Sequence, residues 1–245
     1  MGANYDTIGK GYARRRQPDP RIARAIDAAL DGALSVLNVG AGTGSYEPAE
    51  RAVLAVEPSW TMVAQRPPGA AACVLGAAES LPVKDAAFDA AMAVLSIHHW
   101  RDWRLGLREM RRAARSRIVL LTFDVEASDF WLTRDYFPEI VALDRQSMPP
   151  LAHMAAELGK FETTHVLIPH DCIDGFLGAY WRRPEAYLDP EVRASISVFS
   201  KFDAAASLDR LKRDLDDGSW RRNNAALLAR DALDVGYRLL TWKLC

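Results

Sequence analysis

The chain has 245 residues, of which 49% are apolar and 26% charged, a balance that suits one globular domain with a substantial core. Thirty-one basic against 32 acidic residues give a net charge of −1, so no overall field draws it to nucleic acid or to an anionic membrane. The cysteines Cys73, Cys172 and Cys245 form no CxxC pair, so neither a disulfide scaffold nor a thiolate zinc site follows. No apolar run approaches the roughly 18 residues of a membrane span, and a reduced, cytoplasmic setting is expected.

In chain order, a polar arm from Met1 to Gln17 carries Tyr5 and Tyr12 as its bulky anchors. Asp19-Pro20 reads as a helix cap followed by a proline in the first turn. Ile22, Ile26, Ala29 and Leu30 then recur at helical spacing until Gly32. Short apolar runs follow as strands at Leu34 to Val39, Ala52 to Val56, Ala72 to Leu75 and Phe88 to Leu95. A helix from Asp102 to Ala114, with Leu105, Met110 and Ala113 inward, leads to a strand from Arg117 to Phe123. The basic stretches Arg14 to Arg16 and Arg108 to Arg117 read as solvated faces. Beyond them, Phe130 to Leu143 and Pro150 to Leu158 look helical, and Thr163 to Ile168 looks like a strand. Residues 174–233 hold helical pieces, with Leu208, Leu211 and Leu215 on one face, and Val235 to Leu244 alternates like a final antiparallel edge strand. The expected fold is α/β: a Rossmann-like, doubly wound, mostly parallel seven-stranded sheet with an antiparallel last strand and a helical insertion. One domain spans residues 1–245, with an arm and helix over 1–31, a ligand-binding half over 32–125 and a substrate-side half over 126–245. The helical lid occupies about 174–233.

The sharpest motif is Leu37-Asn38-Val39-Gly40-Ala41-Gly42-Thr43-Gly44, directly after a strand. A chain leaving a parallel strand must turn sharply and let a ligand approach its backbone, and glycine permits both. A glycine-rich turn without a ligand is the competing reading. Glu57 ends the next strand, 13 positions after Gly44, where a carboxylate can accept hydrogen bonds from ribose hydroxyls. A nicotinamide fingerprint would need glycine or alanine three after Gly42, but Ser45 stands there and the third glycine is Gly44. About eight residues, interrupted by Pro48, separate Gly44 from the next strand, so a pyrophosphate-binding helix fits poorly.

These segments resemble the class I S-adenosylmethionine-dependent methyltransferases, in the subgroup that includes the ubiquinone/menaquinone biosynthesis enzymes. Val39 to Gly44 resembles the family's cofactor loop, and Val56-Glu57-Pro58-Ser59 its ribose-binding strand end. Gly76 to Val83 followed by Phe88-Asp89 resembles the adenine-side segment. Leu107 to Arg112 resembles the helix before strand five, and Tyr5-Asp6 with Tyr12 to Arg15 the arm. The resemblance implies that Gly40, Ala41 and Gly42, with Asn38 and Gly44 beside them, line the methionine moiety, and that Glu57 holds the ribose. It further implies that Pro58 and Ser59 flank the nucleoside, that the Ala78 N–H meets the adenine, and that Leu95 and Ser96 form the pocket floor. S-adenosylhomocysteine would be the product. Asn38 and Ala77 both stand where the family usually has an acid, which weakens contacts to the cofactor amine and the adenine. Glu79 is the remaining acid at the adenine edge.

Ser96-Ile97-His98-His99-Trp100 lies where the family places acceptor-facing residues. His98 or His99 could act as general base, or could only pack and orient the loop. The segment lacks the Asp/Asn-Pro-Pro-aromatic motif of nucleic-acid amino methyltransferases, and the scattered cysteines do not suit arsenic methylation. No ligand cluster for a metal stands out, Asp124 being an isolated carboxylate that could equally cap a turn. Phe130, Trp131, Tyr136 and Phe137, and later Phe176, Tyr180, Trp181 and Tyr187, could line a small organic ligand or fill a core. The Arg182-Arg183 pair could bind an acidic group or form an exposed turn. The expected activity is methyl transfer to the O, N or C atom of a small-molecule acceptor, with no nucleic-acid or membrane partner; the oligomeric state is not legible. The alternatives are a non-catalytic cofactor-binding regulator and a methyltransferase acting on protein or tRNA.

Overall fold

The computed structural model describes residues 15–244, so the expectations for Tyr5, Asp6, Tyr12 to Arg14 and Cys245 lie outside the described residues. Helix α1 (Pro20–Leu30) begins as its sequence dictates. The Asp19 side chain accepts from the Arg21 N–H at 2.9 Å, and Pro20 fills the first turn, where its missing donor costs nothing. Ile22, Ile26 and Leu30 repeat every fourth residue and face the sheet.

The strands are β1 (Ser35–Val39), β2 (Ala52–Glu57), β3 (Ala72–Leu75), β4 (Phe88–Val94), β5 (Ala114–Phe123), β6 (Glu162–His165), β7 (Ile168–Pro169), β8 (Ala232–Leu233) and β9 (Tyr237–Lys243). All but β7 and β8 form one sheet in the order β3-β2-β1-β4-β5-β9-β6. β9 alone is reversed, running antiparallel to both β5 and β6 while the other pairs of the sheet are parallel. The last strand is therefore antiparallel as expected, but it is not the edge. Its residues are buried from Tyr237 to Trp242, Arg238 by pairing with Asp234 at 2.7 Å, whereas β6 (Glu-Thr-Thr-His) is exposed along its length and takes the edge. A polar strand tolerates unpaired solvent-facing backbone better than an apolar one.

Between β1 and β2 the chain makes only turns, as the short segment after Gly44 requires. The remaining helices named here are α2 (Trp60–Val63), α3 (Trp103–Ala113), α4 (Pro138–Ser147), α5 (Leu151–Leu158), α6 (Pro190–Ala194) and α7 (Ala205–Asp216). On α3 the inward stripe is Gly106, Leu107, Met110 and Ala113, and Leu105, expected inward, faces out at 39% exposure. The expected helix from Phe130 breaks at Phe137, because Pro138 has no N–H to continue it. The expected strand from Thr163 to Ile168 splits into β6 and β7.

Side chains alternate across the sheet. Val36, Met92, Val119 and Leu121 pack with α1 and the insertion, while Leu37, Ala91, Ile118 and Leu120 pack with α3 and α5. The pairing of β7 with β8 closes the base of the insertion. Most of the aromatics flagged in the sequence fill its core. Trp131 meets Tyr136, Tyr187 and Trp220 edge-on, and its indole N–H donates to the Trp181 carbonyl at 2.8 Å. Arg183 is structural too, donating to the Cys172 and Ala179 carbonyls.

One buried carboxylate fastens the arm, the loop after β1 and the insertion together. Asp174, fully buried, accepts from Arg16 Nε at 2.6 Å, from the Tyr46 hydroxyl at 2.8 Å and from the Gly175 N–H at 2.7 Å. Removing one partner of such a set leaves a charge and a hydroxyl uncompensated, which costs about 3 kcal/mol or more. Urea denaturation of Asp174→Ala should show that loss, and a change below about 1 kcal/mol would contradict the three-way fastening.

Candidate active site

β1 lies between β2 and β4, the point at which strand order reverses, and the crevice above the carboxyl ends of these strands is where open α/β sheets bind ligands. A cavity of about 300 Å³ occupies it. Its floor is the closest approach of two strand ends. A Cβ on Gly40 would lie 2.8 Å from both Cβ and Oγ of Ser96 and 3.2 Å from Trp100 Nε1, and Gly40 has φ +68°. No other residue fits there. The Ser96 hydroxyl in turn donates to the Val39 carbonyl at 3.1 Å, clamping β4 to β1.

Glu57 is 6% exposed and faces the cavity with both oxygens oriented by backbone. Gly42 N–H donates to Oε2 at 2.8 Å and Ser59 N–H to Oε1 at 2.9 Å. The glycine turn and the carboxylate, separated in sequence, are thus one hydrogen-bonded unit. At the rim, Ala78 is buried, while Oε1 of Glu79 accepts from the Arg101 and Asp102 N–H groups at 2.6 and 3.0 Å. Glu79 thereby ties the rim to the start of α3. The Trp100 ring lies flat on Gly106, where a Cβ would meet it at 2.4 Å, and among the described residues its indole N–H has no acceptor.

Asn38 lines the cavity, but its amide donates to Oε1 of Glu47 at 3.1 Å, and Glu47 is held by Arg66 Nη2 at 2.8 Å to each oxygen. This ion pair is itself nearly inaccessible, the side chains being 6% and 9% exposed. An acid at position 38 would confront Glu47, which is a physical reason for the amide. Gly44, with φ +90°, packs against Arg66 and does not line the cavity, so its glycine serves the turn.

A second chamber of about 90 Å³ adjoins the first and shares Arg16, Leu95 and His99 with it. Leu95 holds φ +50°, a left-handed conformation costly for a branched side chain and found preferentially at functional sites. The chamber runs under the insertion, between His98, Phe123 and Tyr237 on the sheet side and Phe176, Ser195 and Val198 above. Burial, helped by the positive charges of Lys201 and Arg16, holds His98 well below its ordinary pKa and lowers that of His99 to about 3. Both imidazoles are neutral at physiological pH.

The structure thus gathers Asn38, Gly40, Ala41, Gly42, Glu57, Pro58, Ala78, Glu79, Leu95, Ser96 and His99 around one cavity, and places His98 in the adjoining chamber. Asp124 caps the turn after β5, accepting from the Glu126 N–H at 3.2 Å. Sequence reasoning missed Arg16, brought in by its pairing with Asp174, and Asp144, which follows Ile140 by four on the buried stripe of α4. That inward acid was a readable signal.

Asn38→Asp should place two carboxylates about 3 Å apart and raise the pKa of one of them. A raised carboxylate pKa penalises the folded state above the unfolded-state value and not below it. The variant should therefore melt below wild type at pH 8, with the gap closing towards pH 4. A gap independent of pH would contradict the contact.

The comparisons agree with this geometry. Residues 37–121 match a family model described as a methyltransferase domain. No curated protein matches the chain. Among solved structures, a protein of Anabaena variabilis ATCC 29413, described as a methyltransferase from an antibiotic biosynthesis pathway, is 36% identical. The match covers 94% of this chain and 99% of that one, with a TM-score of 0.87. A Thermotoga maritima protein described as a SAM-dependent methyltransferase, possible histamine N-methyltransferase, is 21% identical, with 67% and 84% covered and a TM-score of 0.52. The [4+2]-cyclase SpnF is 18% identical, with 98% and 94% covered and a TM-score of 0.54. These last two likenesses speak to the fold alone.

Proposed function

The chain belongs to the class I S-adenosylmethionine-dependent methyltransferases, and on that premise we propose that its methyl acceptor is a small molecule seated in the second chamber. The observation that carries this reading is the junction of the two cavities at Leu95 and His99, with the second roofed by the insertion. A chamber of about 90 Å³ admits the reacting end of a small organic compound. The near-neutral charge offers nothing to a polyanion. The antibiotic biosynthesis pathway named for the Anabaena relative supports the same reading.

The first cavity fits the cofactor in its chemistry. Gly40, Ala41 and Gly42 would hold the methionine portion against bare backbone, and Glu57 would accept the ribose hydroxyls. Pro58 and Ser59 would flank the nucleoside, the Ala78 N–H would meet the adenine, and Leu95 and Ser96 would form the floor. When bound, S-adenosylmethionine supplies an electrophilic methyl on a sulfonium, which an acceptor attacks in line. The chain's own contribution is alignment and the exclusion of water. His98 and His99 face the acceptor as neutral imidazoles. Their lowered basicity suits hydrogen bonding and orientation more than holding a proton.

Glu57→Gln keeps the shape but turns one oxygen into an NH₂ facing the Gly42 or Ser59 N–H. Losing charge-assisted bonds to two hydroxyls should cost at least about 2 kcal/mol, or about 30-fold in affinity for S-adenosylmethionine by calorimetry. An affinity within about threefold of wild type would overturn the assignment of Glu57.

A further inference from the structure

Every other fully or nearly buried acid that shapes this region has donors arranged around it. Asp19, Asp174, Glu57 and Glu47 each accept from backbone or from an arginine. Asp144 does not. It sits in the last turn of α4, is 9% exposed, and lines the second chamber. Among the described residues its carboxylate makes no hydrogen bond and no ion pair. Its oxygens are not among the sealed side-chain atoms, and the residue forms part of the chamber wall.

The surroundings compensate it only in part. The titratable groups that line the same chamber are His98 and His99 from the turn after β4, Tyr237 from β9, and Arg16, whose guanidinium is engaged by Asp174. Lys201, in the turn after α6, acts on it through space without closing an ion pair. The remaining walls are Leu95, Phe123, Met148, Phe176, Ile196 and Val198. Burial pushes the Asp144 carboxyl up to about 6, with Lys201 opposing in part. Even so, the group is mostly ionised above neutral pH. An uncompensated charge in an apolar wall is costly, and native proteins keep such groups chiefly where a ligand satisfies them.

We propose that Asp144 selects the methyl acceptor, and that the second chamber receives the amine end of a small, otherwise apolar molecule. This rests on the acceptor reading above and names its chemistry. A cation answers the carboxylate's charge fully, whereas an alcohol answers it with a single hydrogen bond. An acidic group would be repelled. In the same contact the carboxylate can take a proton from the ammonium, an O–H forming as the N–H breaks. The nitrogen lone pair is then available for methylation. Asp144 thus supplies the proton acceptor that the neutral histidines do not.

The test uses the full chain saturated with S-adenosylhomocysteine, titrated with benzylamine and, separately, with benzyl alcohol at pH 8. Wild type should bind the amine at least about tenfold more tightly than the alcohol. In Asp144→Asn that preference should fall to within about twofold, with S-adenosylhomocysteine affinity unchanged. Asn is nearly isosteric and removes a buried charge, so the variant should melt no lower than wild type. Equal binding of the two probes, a preference that survives in Asp144→Asn, or no binding of either at about 10 mM would overturn the role of Asp144. Failure of wild type to bind S-adenosylhomocysteine would instead strike the cofactor reading on which it rests.

Discussion

The Ser96 side chain packs directly against the Gly40 backbone at the carboxyl ends of β1 and β4, and the site depends on that approach. Ser96 lies where a Cβ of Gly40 would be, and its hydroxyl closes onto the Val39 carbonyl. With no side chain on Gly40 to part them, the strand ends form a floor, and the loops leaving them diverge around a crevice. Gly42 continues the same turn and gives its N–H to Glu57, which positions the carboxylate from the neighbouring strand. Trp100 lies over Gly40 only because Gly106 leaves room beneath its ring. A larger residue at position 40 or 106 would move the wall as well as narrow the cavity.

Buried charge then divides the molecule by purpose. Glu47 and Arg66 neutralise each other beside the glycine turn, and Asn38 bonds to Glu47. Asp174 gathers Arg16 and Tyr46 and thereby brings the arm and the insertion over the chambers. Both sets are satisfied internally and act as fasteners. Asp144 is the exception, a buried carboxylate on the wall of the second chamber with no hydrogen-bond partner among the described residues. The contrast separates groups that hold the fold from one that addresses a ligand.

What was legible in the sequence was local. The glycine turn, Glu57 at a strand end and the short segment after Gly44 are local features whose backbone needs can be read directly, and the succession of the first five strands along the chain followed from their apolar runs. The place of the last strand was not legible. Its alternation suits an edge, and only the pairing of Arg238 with Asp234 shows how a charged residue sits inside the sheet. The purpose of Asn38 was hidden because its partner Glu47 acts through a turn and through Arg66. The second chamber was hidden for the same reason on a larger scale. Its walls come from residues as far apart as Arg16, Phe123, Phe176 and Tyr237, which only the insertion and the final strand bring together.

A crystal structure of the protein with S-adenosylhomocysteine tests the central claim most directly. The ribose hydroxyls should lie within hydrogen-bonding distance of Glu57, the adenine against Ala78, and the sulfur should face the opening beside Leu95 and His99. A nucleoside bound away from Glu57, or a sulfur turned from the second chamber, would contradict both the cofactor assignment and the acceptor site built on it.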